Sequence, residues 1–257
     1  LRRNFLTAPP LHEVRGDGFL VAREETTYGD WIAFLETLPP DEQRSRSGHR
    51  EGAVFLLAPL LTRGKDTWEI ELRRGEDTLR ARFGDFVRFP KRKHHAVQNW
   101  LRWPVTGINW DDARAYLDWL SRSGKLPGAR FCREFEWERA ARGADGRSFP
   151  TGDDISAEQA NFDERYAREP EAIGPEEVGS NPDIVSPFGL HDTAGNVWEW
   201  VQAVDGVGGN LVRGGSFYHG KVAARAANRS RLDAEFADGT LGLRVCAPLH
   251  VRASDSR

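Results

Sequence analysis

The sequence lacks several residue patterns that define specialised classes of protein. Its 257 residues contain no methionine and only two cysteines, Cys132 and Cys246, which excludes a disulfide-rich scaffold. The two cysteines can either form one bridge or remain as two buried thiols. No apolar run is long enough to cross a bilayer, so we predict no membrane span. Because methionine is missing even at position 1, we expect a soluble piece of a longer protein, either cytoplasmic or extracytoplasmic.

An excess of charge of one sign is also missing. The net charge is −3 and the acidic and basic residues are interspersed, so we predict no nucleic-acid partner. The basic run at 91–95, KRKHH, is short and isolated, and we interpret it as a solvated loop. Aromatic residues are plentiful, with 9 Trp and 14 Phe, but 26 Gly and 14 Pro interrupt them. This composition predicts an aromatic core held by many loops rather than a helical bundle.

Three segments have the pattern of amphipathic helices. Thr27 is a good N-cap for the first, which Pro39 and Pro40 are expected to close. Asn109 caps the second, and the third ends at Gly143, a residue suited to a left-handed helix end. Their apolar positions recur at helical spacing: Tyr28, Trp31, Phe34 and Leu35; Ala113, Tyr116, Leu117 and Leu120; and Phe135, Trp137, Ala140 and Ala141.

Residues 41–100 differ from the rest of the chain. Residues 41–52 are polar and are interpreted as a loop, whereas Trp68, Ile70 and Leu72 alternate with charged residues, as in a half-buried strand. A turn signal and a second alternating run follow. We therefore predict a β-rich insertion at 41–100, which serves either as a docking surface or as a lid.

Between residues 145 and 196 the chain is rich in Gly, Pro, Asp and Asn. So long an irregular stretch is unusual inside a compact domain. We expect side-chain networks or a bound cation to hold it in place.

Four segments, taken in order, resemble the formylglycine-generating enzyme, or sulfatase-modifying factor, family. They are residues 104–113 (PVTGINWDDA), 130–143 (RFCREFEWERAARG), 188–200 (FGLHDTAGNVWEW), and the group 213–217, 225–229 and 241–244 (RGGSF, RAANR and LGLR). The resemblance implies a single domain, 1–257, of the α+β class. The expected fold is C-type-lectin-like, with a small twisted antiparallel sheet, two main helices, long loops and the β-rich insertion.

The resemblance also implies a structural calcium ion. The equivalent loop of the family binds Ca²⁺ through positions that fall here on Asp192, Gly195, Val197 and Glu199, the middle two through their carbonyls. Calcium prefers such oxygen ligands, and both side-chain ligands here are acidic. The alternative is that Asp192 and Glu199 only cap turns by hydrogen bonding.

The catalytic feature of the family is missing. Members that make formylglycine hold Cu(I) with two cysteines shortly after the Gly-Gly-Ser, because a soft monovalent ion prefers thiolates. Residues 217–225, FYHGKVAAR, contain no cysteine, and His219 falls near the first cysteine position. Related sulfoxide synthases hold iron with histidines of an additional helical domain, which has no counterpart here. We therefore expect neither copper nor iron.

A binding role remains after these exclusions. Residues 217–240 mix aromatic, basic and acidic side chains between two glycine-containing motifs, as a ligand face on a rigid scaffold does. We predict a non-catalytic ligand-binding or sensor module, fused to a signalling domain such as a protein kinase, with a small-molecule, peptide or protein ligand. The predicted ligand-facing residues are Ser216, Tyr218, His219, Lys221, Arg225, Asn228, Arg229, Arg231 and Asp233.

Two other hypotheses stay open. The first is a metal-dependent oxidoreductase with a metal at His219 and its neighbours, which metal analysis tests. The second is the variable protein of a diversity-generating retroelement, because residues 217–240 resemble the variable region of such proteins. A nearby reverse transcriptase and template repeat would identify the second.

Overall fold

The computed structural model describes residues 13–47, 59–74, 77–204 and 210–249. Its main sheet has seven strands, six of which follow one another as β1 (Phe19–Val21), β12 (Val245–Pro248), β7 (Arg130–Arg133), β8 (Trp198–Gln202), β9 (Asn210–Arg213) and β10 (Ser230–Leu232). The seventh, β11 (Leu241–Leu243), pairs with the first half of β8, whereas β7 pairs with the second half. The predicted α+β class is confirmed, but β8 runs parallel to both β7 and β11 within an otherwise antiparallel sheet.

All three predicted helices are present, and a fourth, short helix accompanies them. They are α1 (Tyr28–Leu35), α2 (Pro40–Ser45), α3 (Trp110–Arg122) and α4 (Glu134–Arg142). Thr27 and Asn109 each form a capping box with the acidic residue three positions on, as predicted. Gly143 ends α4 with φ 77° and ψ −151°, a positive-φ conformation other than the predicted left-handed one. No helix in the described part of the chain is long and apolar enough to cross a membrane.

The interpretation of residues 41–52 as a loop is wrong for its first part. Helix α1 ends at Leu35, and Pro40 starts helix α2 instead of closing α1. Proline is well suited to the first turn of a helix, where its missing N–H has no partner to lose. Asp41 and Glu42 in the same turn complement the helix dipole. Residues 48–52 lie outside the described part of the chain.

The region 41–100 is rich in strands, as predicted. Strands β2 (Leu60–Arg63), β3 (Trp68–Arg74) and β4 (Asp77–Arg82) form an antiparallel meander, and β5 (Phe86–Arg88) and β6 (Val97–Asn99) form a ribbon. The alternation in β3 points Trp68, Ile70 and Leu72 inward, where they join the same hydrophobic core as the first helix. Burial on one face ties the insertion to the domain and leaves its charged face to solvent.

Side-chain networks hold the irregular stretch between 145 and 196. The buried guanidinium of Arg165 pairs with Glu176 at 2.9 Å. The Asn161 amide donates to the Gly174 carbonyl at 3.0 Å and to the Asn196 side chain at 3.1 Å. These contacts satisfy polar groups of a loop region that has no strand ladder to pair with.

Candidate functional site

The turn that follows β9 brings Ser216 and His219 into contact. It begins with Gly214 and Gly215, whose φ angles of 99° and 75° favour glycine. A Cβ atom on Gly215 would lie 2.8 Å from the Cα of Ala224, so only glycine allows this approach of the two backbones. The turn therefore has one shape, and Ser216 is buried at its centre.

The imidazole of His219 is held by two donors. Its Nδ1 lies 2.7 Å from the Ser216 hydroxyl and 3.2 Å from the indole N–H of Trp198. Because an indole nitrogen can only donate, Nδ1 is the acceptor and the ring proton resides on Nε2. Burial lowers the pKa of His219, although Asp238 and Asp163 act in the opposite direction. The ring is thus a neutral histidine of fixed orientation.

Two of the predicted ligand-facing residues have contacts of a structural kind. The Asn228 amide donates to the carbonyl of Val222, and Asn228 is buried. The Arg229 guanidinium pairs with the fully buried carboxylate of Glu134. These two side chains are engaged with protein atoms of the scaffold.

The remaining predicted residues of the face reach its surface to different degrees. Lys221 is half-buried and pairs with Asp154 at 2.5 Å. The exposed members of the set are Tyr218, Arg225, Arg231 and Asp233. A ligand-binding role for these residues stays a prediction.

The two cysteines form one disulfide. Cys132 in β7 and Cys246 in β12 have their Cα atoms 4.8 Å apart, and both side chains are buried. This decides between the two states that the sequence left open. Since the sequence has no other cysteine, no thiol remains to hold copper beside Ser216.

Asp192 occupies the start of the predicted calcium loop with a φ of 57°. Its carboxylate accepts a hydrogen bond of 2.6 Å from the backbone N–H of Gly179. Burial raises the pKa of Asp192 to about 6, and the nearby carboxylates of Glu176 and Glu199 add to that effect. The hydrogen bond from Gly179 and the charge of Arg244 lower this pKa, but burial outweighs them.

Glu199, the last predicted calcium ligand, is fully buried in a different arrangement. Its two oxygens accept hydrogen bonds from Arg244, the shortest of 2.7 Å, and one of them also accepts the indole N–H of Trp137. As arranged, Glu199 does not fit the role of a calcium ligand, because the guanidinium of Arg244 takes the place of the cation.

The sequence did not single out Glu25, which lies beside this loop. Its buried carboxylate accepts hydrogen bonds from the Asn196 amide at 2.7 Å and from the backbone N–H of Val197 at 3.3 Å. Burial, followed by Asp192 and Glu199, raises the pKa of Glu25. In the described residues, no three His, Cys, Asp or Glu side chains form a group that could hold a metal ion. The calcium ion at Asp192, Gly195, Val197 and Glu199 therefore stays a prediction.

A second buried charge cluster was also missed. Arg213, at the end of β9, pairs with Glu138 at 3.0 Å and with Glu134 at 3.2 Å, and Arg229 shares the latter. The available signal was the buried face of the third helix pattern, on which Glu134 and Glu138 flank Trp137. A charged residue on an apolar helix face predicts a buried ionic partner but does not identify it.

Two surface cavities lie away from the predicted face. One, of about 690 Å³, is formed by helix α4 and the segment around β1, and the other, of about 550 Å³, lies beside the basic run 91–95. None of the predicted ligand-facing residues lines either cavity.

The fold and the site together define a lectin-like α+β domain whose turn at residues 214–219 carries no cysteine. The chain belongs to the sulfatase-modifying factor family: the family described as "Sulfatase-modifying factor enzyme 1-like domain" matches residues 2–248. The family and the fold that the motifs predicted are thereby confirmed.

The names of individual relatives include enzymes, a protein kinase and a protein called inactive. The chain is 29% identical to the bovine "Inactive C-alpha-formylglycine-generating enzyme 2" over 184 residues, 69% of this chain and 51% of the relative. It is 27% identical to "Serine/threonine-protein kinase Pkn1" of Chlamydia trachomatis over 75% of this chain and 24% of the kinase. It is 28% identical to the formylglycine-generating enzyme of Streptomyces coelicolor over 93% of this chain and 80% of that enzyme. The chain thus spans about half of the bovine relative and about a quarter of the kinase.

Solved structures share the fold. PvdO from Pseudomonas aeruginosa superimposes with a TM-score of 0.58 at 23% identity, covering 95% of this chain and 91% of PvdO. Treponema denticola variable protein 1 has the same TM-score at 16% identity, covering 90% of this chain and 84% of that protein. At such identities the likeness concerns the architecture alone.

Proposed function

We propose that this domain is a non-catalytic ligand-binding module. The observation that carries the proposal is the position of the two cysteines: they are joined in a disulfide between β7 and β12, and residues 217–225 contain no cysteine. Cu(I) prefers thiolates, and a single neutral imidazole is a poor substitute for a pair of them. The scaffold keeps its shape while the groups that would hold copper are missing.

The nature of the remaining side chains supports binding. His219 is held in one orientation by Ser216 and Trp198, and Tyr218 beside it is 52% exposed. An exposed aromatic ring next to an oriented imidazole offers contact area and a directed polar group at little conformational cost. A rigid turn with exposed aromatic and charged side chains is better suited to binding a partner than to catalysing a reaction of that partner.

The relatives support a place within a larger protein. One relative is a protein kinase of which the chain spans only a quarter, and another carries the word "inactive" in its name. We propose that the domain acts as the sensor or docking part of such a protein. Limited proteolysis and domain mapping of the full-length protein would test this arrangement.

An activity assay tests the central proposal. The purified domain, supplied with Cu(I), is incubated with a cysteine-containing sulfatase peptide, and aldehyde formation is followed by hydrazide labelling and mass spectrometry. The Streptomyces coelicolor enzyme serves as the positive control. We expect no aldehyde and no stoichiometric copper or iron in metal analysis. Turnover together with a stoichiometric redox metal would overturn the proposal and favour the oxidoreductase alternative.

We also propose that calcium binds beside Asp192. Burial raises the pKa of both Glu25 and Asp192, Arg244 opposes this effect at both groups, and a divalent cation would favour their charged forms further. We expect the melting temperature to fall in EDTA and to recover with Ca²⁺ but not with Mg²⁺. The variant Asp192→Asn should lose this dependence, whereas Asp183→Asn, at an exposed position, should keep it. Equal melting temperatures of the parent in EDTA and in Ca²⁺ would contradict the calcium assignment.

A further inference from the structure

The larger cavity lies against helix α4 and the segment around β1, and none of the nine residues predicted above to face a ligand lines it. Its volume of about 690 Å³ is in the range of pockets that hold small organic ligands. Apolar side chains form part of its lining, namely Val14, Phe19, Phe135, Val204 and Ala227. Val14 is 50% exposed, so half of this apolar residue is in contact with solvent rather than packed against the protein. The cavity thus offers apolar surface to a molecule in solution.

Two of the three carboxylates in the lining are neutralised by guanidinium groups. Glu136 accepts hydrogen bonds of 2.7 and 2.8 Å from Arg130, in the bidentate arrangement that suits this pair. Glu138 accepts from Arg142 at 2.6 Å and pairs with the buried Arg213 at 3.0 Å. These acids contribute little net negative potential to the cavity. The third lining acid is Asp17.

Arg133 and Arg139, in contrast, are exposed cations of the lining. The guanidinium of Arg133 is 3.9 Å from Glu136, whose oxygens are already shared with Arg130. Arg139 lies 5.2 Å from the ring of Phe188, and in the described part of the chain it pairs with no carboxylate. Phe188 is itself 55% exposed. One side of the cavity therefore carries two exposed guanidinium groups, and the ring of Phe188 lies beside Arg139 outside the lining.

We propose that this cavity is a second binding site, for an organic anion with an aromatic or aliphatic body. The anionic head lies at Arg133 and Arg139, because a guanidinium binds carboxylates and phosphates through paired hydrogen bonds. The apolar body lies against Phe19, Phe135 and Val14. The proposal does not rest on the proposed function, since none of the nine predicted ligand-facing residues lines the cavity, although Ala227 of the 217–240 segment does.

A fluorescence titration tests this site. The probe is 8-anilinonaphthalene-1-sulfonate, an anion with an aromatic body, added to the intact folded domain. We expect saturable binding that falls at least about tenfold in affinity in the double variant Arg133→Glu/Arg139→Glu, as loss of charged contacts predicts. The control Arg122→Glu, an exposed arginine on helix α3, should bind the probe as the parent does. Circular dichroism and melting temperature verify that each variant is folded.

Competition with the probe identifies the preferred anionic head group of the ligand. A second variant provides a test if the double variant does not fold. Decanoate and phenyl phosphate are used as displacers, and stronger displacement by one identifies a carboxylate or a phosphate as the preferred anion. If the double variant does not fold, Val14→Asp, at the exposed apolar rim, should weaken probe binding in the same assay. Non-saturable fluorescence, or equal loss of binding in Arg122→Glu, would overturn the site. The substitution Tyr218→Ala should not change probe binding, so the result is separate from that for the ligand face.

Discussion

Two Arg–Glu pairs lie in different surroundings. One is Arg244–Glu199, in the buried core formed by the family motifs (the motif core), and the other is Arg80–Glu71, in the β-rich insertion. Both members of the core pair are 0% exposed, whereas Arg80 is 70% exposed and Glu71 18%. Removing two charges from water is costly, and only close, well-directed hydrogen bonds compensate for it. In the insertion, solvent already screens the charges and little is gained or lost. Comparable distances therefore do not imply comparable contributions to stability.

The largest expected effect comes from breaking the core pair. Glu199→Gln leaves the buried guanidinium of Arg244 without its charged partner, so the free energy of unfolding should fall by about 3–5 kcal/mol. Urea denaturation in EDTA measures this value without interference from bound calcium. The matched control Glu69→Gln removes a carboxylate 3.1 Å from Arg82 in the insertion and should cost under about 1 kcal/mol. Similar losses in the two variants would contradict the comparison.

The disulfide ties the motif core together and is expected to rank next. It links positions 114 residues apart, so it restricts the unfolded chain strongly. The variant Cys132→Ala/Cys246→Ala should lose roughly 2–5 kcal/mol in the same urea experiment. Titration of thiols in denaturant should show none in the parent until reductant is added. A free thiol in the unreduced parent would show that the two cysteines are not bridged.

His219 extends the comparison of buried and exposed charges to a titratable group that is half-buried. Burial lowers its pKa, so the unfolded chain takes up a proton near its ordinary value of about 6.5 while the folded chain stays neutral. Stability should therefore decline as the pH falls from 7.5 to 5.5, and this decline should be shallower in His219→Gln. The control His94→Gln, at an exposed position, should follow the parent. Parallel pH profiles of parent and His219→Gln would exclude this contribution.

The smallest expected effect is at the surface of the insertion. Arg73 and Arg80 hold the pKa of Glu71 below its usual value through hydrogen bonds of 2.6 and 2.8 Å. Because both arginines are largely exposed, Glu71→Gln should lower stability by less than about 1 kcal/mol. The difference should shrink further in 1 M salt, where screening acts over about 3 Å. A loss that persisted in high salt would indicate that the insertion holds its charges as the core does.

Local elements of the fold were predictable from neighbouring residues. The capping boxes at Thr27 and Asn109 involve partners three positions away, and the alternation in β3 is contained in seven residues. Helix α2 was missed because the proline at its start was interpreted as the end of the preceding helix. Strand order and the parallel pairs of β8 were not predictable, since they join segments distant in the sequence.

The site was predictable in its location but not in its contacts. The motifs placed Ser216 and His219 on the turn, and the absence of cysteine from residues 217–225 was evident in the sequence. Asn228 and Arg229 looked like surface residues, yet their partners are Val222 and the distant Glu134. Glu199 matched a ligand position of the family, but Arg244, 45 residues away, takes up its charge.

The sequence by itself determined the family, the α+β class, the capped helices and the lack of a second thiol pair, because each depends on residue identity or short spacing. The tertiary structure alone decided that Cys132 and Cys246 meet, that Arg244 neutralises Glu199, and that helix α4 borders a cationic cavity. Those outcomes depend on which distant segments pack together, and burial then determines whether a charge needs a partner.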